Sequence, residues 1–292
     1  IIFLRYMLIN TDIQKYDPVF LKYGQKIFSA EYIKSLRNDI LNNDYEHLLI
    51  PQEGFQEDVC LNDAAVLIVG GKRGGGKTFV MELAPLRFVD NSLFSIHGFR
   101  KEEADIKRGL WNTSLKIYNK IAEPKESYLT WVFPSGAKSV YEHLQNENEV
   151  DRRFRGVEMP FILIDELPQI TFKTFFTLLA SNRNTIGIKN QFIGSCNPVG
   201  PKHWLHQFLS WYIDEDTKEI IPSRNGKKRY FYKYGDTISE IFWGNSKEEV
   251  YIKAKDKIDL IFDDKLREQG RSPLDLINSL CFIEGSYSDN KI

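Results

Sequence analysis

"VGGKRGGGKTF", residues 69–79, carries five glycines, two lysines, one arginine and one threonine. It fits the spacing G-x-x-x-x-G-K-[S/T], running from Gly71 through Lys72, Arg73, Gly74 and Gly75 to Gly76, Lys77 and Thr78. Glycines let a backbone wrap phosphate groups without Cβ clashes and in φ-positive conformations. Successive N–H groups and a helix start then direct partial positive charge into the hollow. In such a loop Lys77 reaches β- and γ-phosphate oxygens, and the Thr78 hydroxyl is offered to Mg²⁺. A flexible glycine linker has a similar composition, but it calls for no strand before it and no helix after it. Here "AAVLIVG" (64–70) is the short apolar run of a strand buried on both faces of a parallel sheet. "KTFVMELAPLRFV" (77–89) reads as the helix that follows.

The same rhythm continues outward. Apolar runs recur at "SLFSIHGF" (92–99), "PFILID" (160–165) and "NQFIGS" (190–195), with helix-like segments at 101–121 and 171–182 between them. Buried strands alternating with helices imply an α/β domain on a mainly parallel sheet flanked by helices. Residues 127–144 break the pattern. Two β-rich runs flank Pro134-Ser135-Gly136, which predicts a hairpin. Residues 1–60 form a preface with helical spacing at 31–44, residues 61–205 the core, and residues 206–292 a small lid-like subdomain. Within the last, a charged loop and a strand occupy 214–234, and 246–270 reads as helical.

Composition limits the function classes. The chain has 292 residues, 42% hydrophobic and 27% charged, as a folded soluble protein does. No apolar run approaches the roughly 20 residues that cross a bilayer, so no membrane role is expected. Cys60, Cys196 and Cys281 lie far apart without metal-type spacing and read as reduced, mostly buried thiols. With 39 basic and 40 acidic residues, any polyanion contact is confined to a few side chains. The chain opens on Ile1 rather than methionine, as a fragment or tag remnant would.

A phosphate loop needs a metal anchor, and "FILIDE" (161–166) supplies a candidate. Four apolar residues deliver Asp165 to the C-terminal end of a strand, where ligands bind in open α/β sheets. Asp165 would hold Mg²⁺ mostly through water, and Glu166 could polarise a water for attack on the γ-phosphate. An Asp-Glu pair is also what a helix dipole favours at its N-terminus. Neither Asn119-Lys120 nor Asn290-Lys291 is followed by the Asp of a guanine-reading N-K-x-D motif, so the pair favours a hydrolytic ATPase. Ser195 and Asn197, in "IGSCNPVGPKHWL" (193–205), end another strand near the phosphates, although a turn cap explains Asn197 equally well. Arg152, Arg153 and Arg155 precede the metal strand, and Arg73 and Arg100 fall near ligand-facing ends. A surface or salt-bridge role is the ordinary reading of each. An arginine from a neighbouring subunit can instead neutralise charge in phosphoryl transfer.

Together "GFQED", "GGKRGGGKT", "FRKEEADIKRGLWNTSLKIY", "WVFPSGAKSVYEH", "RRFRGVEMPFILIDELPQ", "SCNPVGPKHWL" and "SLCFIEGSYSDN" resemble the ATPase domain of the large terminase subunit of tailed bacteriophages. The resemblance runs from about residue 50 and implies an ASCE-type P-loop NTPase. It places a basic residue of the phosphate loop at Arg73 and a trans-acting arginine finger at Arg155. The catalytic glutamate falls at Glu166, a motif coupling hydrolysis to motion at Ser195, Cys196 and Asn197, and an adenine-contacting glutamine at Gln56 or Gln52. It further implies ATP and Mg²⁺, double-stranded DNA, a portal protein and a small terminase subunit as partners. The expected assembly is a ring, commonly of five subunits, and the isolated domain is expected to be a monomer. The expected location is the host cytoplasm, transiently at the procapsid portal. Full-length members continue into a nuclease domain, and this chain stops at "DNKI", so no nuclease activity is expected of it. Two alternatives remain open at this stage: a helicase-like or DNA-repair ATPase, and a nucleotide-dependent assembly module without turnover.

Overall fold

The computed structural model describes residues 51, 54–71, 76–119 and 121–285. The helix expected over 31–44, Gln52, and the loop residues Lys72, Arg73, Gly74 and Gly75 lie outside the described residues.

Ten strands build one sheet: β1 (Val66–Gly70), β2 (Ser95–Arg100), β3 (Glu123–Lys125), β4 (Thr130–Val132), β5 (Lys138–His143), β6 (Phe161–Ile164), β7 (Gln191–Ser195), β8 (Lys228–Lys233), β9 (Ile241–Gly244) and β10 (Asn278–Glu284). Their order is β3-β4-β5-β2-β6-β7-β1-β10-β8-β9. From β5 to β10 every neighbouring pair is parallel. Antiparallel pairs extend both edges, β4 and β3 on one side and β8 and β9 on the other. The expected hairpin is β4–β5.

The apolar runs are continuous because both sheet faces are covered. Leu67 and Val69 of β1 enter one core with Phe161, Leu163, Ile193, Cys281 and Ile283. Their neighbours Val66 and Ile68 point the other way, into a core with Ile162, Ile164, Phe192, Leu280 and Phe282. Helices α1 (Phe55–Leu61), α2 (Lys77–Leu83), α3 (Glu103–Ile106) and α4 (Asn112–Tyr118) contribute to the first core, and α5 (Val150–Phe154), α6 (Phe172–Ser181) and α7 (Trp204–Phe208) to the second. Pro85 falls in a 3₁₀ segment, Ala84–Phe88, that continues α2, so the helix expected over 77–89 changes type midway. Between α3 and α4 the chain widens into a π-helical segment, Lys107–Trp111.

The stretch read as a small lid-like subdomain, residues 206–292, contributes both to a core of its own and to the main sheet. Strands β8 and β9, with α8 (Lys247–Ile261), share a small core of Tyr232, Val250, Ala254, Ile258 and Ile277. β10 inserts into the main sheet directly beside β1. The sequence pattern hid this because "SLCFIE" (279–284) comes after a long polar helix rather than in the strand-helix alternation. A further short helix, α9 (Asp264–Glu268), follows α8.

A candidate nucleotide site at the strand ends

β7 lies between β1 and β6, so the glycine loop after β1 and the carboxylates after β6 meet across a single strand end. Gly76 adopts the left-handed conformation (φ 70°) that lets α2 begin at Lys77. Lys77 Nζ donates to the Gly71 carbonyl at 2.7 Å and to Asn197 Oδ1 at 3.3 Å. Burial pushes its ammonium below the ordinary lysine value, with Asp165 and Glu166 among the groups opposing that shift. The ammonium is thus a partly desolvated cation beside a glycine turn, where an anion gains most from it.

Asp165 is buried and engaged through both of its oxygens. Ser195 Oγ donates to its Oδ1 at 2.7 Å, Thr78 Oγ1 approaches the same oxygen at 3.4 Å, and Arg100 Nε pairs with Oδ2 at 3.0 Å. Ser195 Oγ also accepts the Glu166 N–H at 2.9 Å, so one hydroxyl holds both acidic residues in register. Glu166 is itself left-handed (φ 59°), a conformation that costs a non-glycine residue about 1 kcal/mol or more. Its carboxylate meets Arg100 Nη2 at 3.0 Å and Gln169 Nε2 at 2.5 Å. Gly109 of the π-helical segment backs this cluster: a Cβ there would lie 3.2 Å from Asp165 Oδ2 and 3.3 Å from Arg100 Nη1.

Of the four candidate arginines among the described residues, Arg100 is the one that reaches the carboxylates. Its strand, β2, pairs with β6, so the last residue of β2 falls beside Asp165. The order of strands, which no motif states, is the missing signal. Arg155 is elsewhere: it is exposed, pairs with Asp151, and lines a cleft of about 630 Å³ with Phe176 and Arg183. Gln56 is buried in α1, which packs against α2 and β10. It does not line the cavity described next.

A second cavity, of about 540 Å³, opens at Gly70, Gly71, Cys196 and Asn197 and continues between Leu205, Leu209 and Phe282. All three cysteines are free and buried, as expected. Burial pushes the Cys196 thiol up to about 12, which leaves it inert beside the loop.

Gly71 is held by its surroundings as well as by its φ of 117°. A Cβ would sit 2.2 Å from the Gly285 carbonyl oxygen, and Gly285 N–H donates to the Gly70 carbonyl at 3.1 Å. The obstructing atoms all belong to the Gly285 backbone, which cannot swing aside as a side chain would. We expect Gly71→Ala to lose about 3 kcal/mol of stability or more, read as a lower urea midpoint. Gly200→Ala, which meets nothing within 4 Å, serves as the control and should change stability by under about 0.5 kcal/mol.

One helical turn beyond Thr78, Glu82 is fully buried, and its Oε2 accepts from Tyr141 Oη at 2.8 Å and Tyr118 Oη at 2.9 Å. Burial pushes its carboxyl up to about 8, against the two tyrosine hydrogen bonds. The native state therefore keeps a proton that the unfolded chain releases above the ordinary carboxylate range, and stability falls as pH rises toward 8. Glu82→Gln should flatten that slope and gain on the order of a few kcal/mol near neutral pH. Urea unfolding of both proteins from pH 5 to 8 checks this; parallel profiles would contradict it.

The donor set suits a hard cation. Thr78 Oγ1 and Asp165 Oδ1 are adjacent oxygens, and Mg²⁺ commonly takes one or two protein oxygens with substrate phosphates and waters. Among the described residues no group of three or more His, Cys, Asp or Glu could hold a metal. No helix among them is long and apolar enough to cross a membrane.

Residues 68–255 match the family described as terminase large subunit, T4-like-virus type, N-terminal. Among solved structures the chain is similar to the large terminase of a thermophilic bacteriophage in complex with ATP-γ-S, at 12% identity and TM-score 0.47, over 83% of this chain and 46% of that one. Another crystal form of the same phage terminase gives 18% identity and TM-score 0.46 over 53% and 41%. The bacteriophage HK97 large terminase gives 14% and 0.44 over 55% and 36%. The chain thus spans less than half the length of these relatives. Comparison with curated proteins gives no match.

Proposed function

The chain belongs to the large terminase subunits of T4-like-virus type, and from that membership we propose that it hydrolyses ATP to drive double-stranded DNA into a viral procapsid. The observation that supports this most directly is the single cluster formed by Lys77, Thr78, Asp165 and Glu166 at adjoining strand ends.

In this reading the triphosphate lies against the loop that starts at Gly71 and ends at Gly76, with Lys72, Arg73, Gly74 and Gly75 between. Lys77 exchanges its contacts with the Gly71 carbonyl and Asn197 for phosphate oxygens. Both contacts are with neutral acceptors, so the exchange is favoured by charge. The apolar part of the adjoining cavity, at Leu205, Leu209 and Phe282, suits a nucleobase. Thr78 and Asp165 would hold Mg²⁺, which when bound neutralises charge on the phosphates.

Glu166 is the proposed base that orients the attacking water. In the structure its carboxylate is engaged by Arg100 and Gln169, so it must be released before it can accept a proton. Ser195 and Asn197 touch Asp165 and Lys77 from one strand end, which makes β7 the element that would sense the nucleotide. Arg73 would lie in the phosphate loop. Arg155 is exposed and away from the carboxylates, which favours its acting on a neighbour's site rather than its own. The assembly would then be a ring on the portal, with the small terminase subunit as a further partner, in the host cytoplasm.

Family membership favours this reading over a helicase-like ATPase. The test is phosphate release with Mg²⁺ and ATP, followed against subunit concentration with and without duplex DNA. Turnover per subunit that rises with concentration supports the motor. Nucleotide that binds but is never hydrolysed, at any concentration, would leave an assembly module in its place.

A further inference from the structure

Two surfaces away from the Asp165–Glu166 cluster carry complementary charge. The first is the cleft of about 630 Å³ beside α6. Arg155, Lys173, Arg183 and Lys233 line it over the ring of Phe176, with Asp151 and Asp236 as its acids. Arg155 is paired with Asp151, and Lys233 lies 3.7 Å from Asp236. Lys173 and Arg183 make no side-chain ion pair or hydrogen bond among the described residues, so two of the four cations are unspent.

The second surface is the turn "DEDTKE" (214–219). An antiparallel bridge between Ile213 and Ile220 closes it. Asp214 Oδ1 fastens it by accepting from Asp216 N–H at 3.0 Å, Thr217 N–H at 2.9 Å and Thr217 Oγ1 at 3.1 Å. The turn is therefore a built projection. At its tip Glu215 and Asp216 are exposed and their carboxylates have no partner among the described residues. Lys218 and Glu219 at its base line the cavity that opens on Gly70 and Gly71. The two cavities share no residue, so the acidic turn stands at the nucleotide end and the basic cleft at another place on the surface.

We propose that the cleft beside α6 receives the acidic 214–219 turn of a second copy of this chain. A contact between two different patches is head-to-tail and closes into a ring when its rotation allows. Lys173 and Arg183 would meet Glu215 and Asp216, satisfying four charges left open in the single chain. The same contact carries Arg155, on the cleft wall, toward the cavity at the neighbour's Gly71. The occupant is thus identified by charge and by position, and the inference rests on the reading of that cavity as a nucleotide site.

Charge reversal tests it. Lys173→Glu/Arg183→Glu alters the cleft, Glu215→Lys/Asp216→Lys alters the turn, and sedimentation velocity follows self-association of each variant and of their equimolar mixture. Each variant alone should associate at least about tenfold more weakly than wild type, because like charges then face each other. The mixture should recover association, since every contact between unlike partners is again complementary. Added salt should weaken wild type and mixture alike. Wild-type association in both variants, or no recovery on mixing, would overturn the proposal, as would a wild type that stays monomeric throughout. So would a cleft variant that loses only duplex DNA binding, measured by anisotropy, because the cleft would then serve the DNA backbone. Binding of a fluorescent ATP analogue is measured on all samples: its absence in wild type removes the nucleotide reading itself, whereas intact binding with indifferent charge reversal removes only the docking contact.

Discussion

ATP turnover by Glu166→Gln is expected to fall roughly a thousandfold, with nucleotide affinity nearly unchanged. The substitution keeps size and leaves the left-handed backbone at residue 166 equally strained, so the N–H bond to Ser195 survives. What disappears is a carboxylate able to accept a proton from water, together with its charge-assisted contact to Arg100. Lys77 and Thr78, which would carry phosphate and metal binding, are untouched. Phosphate release in single-turnover mixtures, beside titration with a fluorescent ATP analogue, separates the two effects. Turnover within tenfold of wild type would place the base elsewhere.

Arg155→Ala is expected to be equally severe but to show it differently. In wild type the rate per subunit should rise with concentration as neighbours complete one another's sites. In the variant it should remain low at every concentration, by about a thousandfold at saturation. The folded chain should tolerate the change, because Arg155 is 77% exposed and its pair with Asp151 is a surface i,i+4 contact of small value. Melting temperature and ATP binding are therefore the controls. A rate independent of both concentration and Arg155 would assign the role to an arginine within the same subunit, and Arg100 already stands at the carboxylates.

Much of this site was legible in the sequence because its parts are local. A strand, a glycine loop and a helix start are contiguous, so Gly71, Lys77 and Thr78 could be placed from spacing alone. Asp165 and Glu166 followed from the apolar run before them. The pairings made across the sheet could not be read this way. Arg100 reaches Asp165 only because β2 and β6 are neighbours, and Ser195 bridges Asp165 and Glu166 only because β7 ends beside them. The hairpin was recognisable from its turn residues, whereas β10 had no local sign that it would cross back to β1. Glu82 gave no sign either: a glutamate in a helix reads as a solvated side chain until two distant tyrosines close over it.

The pairing of β10 with β1 bears on how the protein comes into being. Val66 lies opposite Leu280, so the strand that carries the glycine loop has one of its two neighbours supplied from more than 200 positions later in the chain. During synthesis β1 would emerge early and wait with an unpaired, wholly apolar edge, a surface prone to pairing with other chains. The contact of the Gly285 N–H with the Gly70 carbonyl, just before the glycine loop, can form only once that later segment has been made. A nascent chain therefore lacks this support at Gly70 until residue 285 has left the ribosome, and ending the chain before residue 278 should yield insoluble material rather than a smaller folded domain.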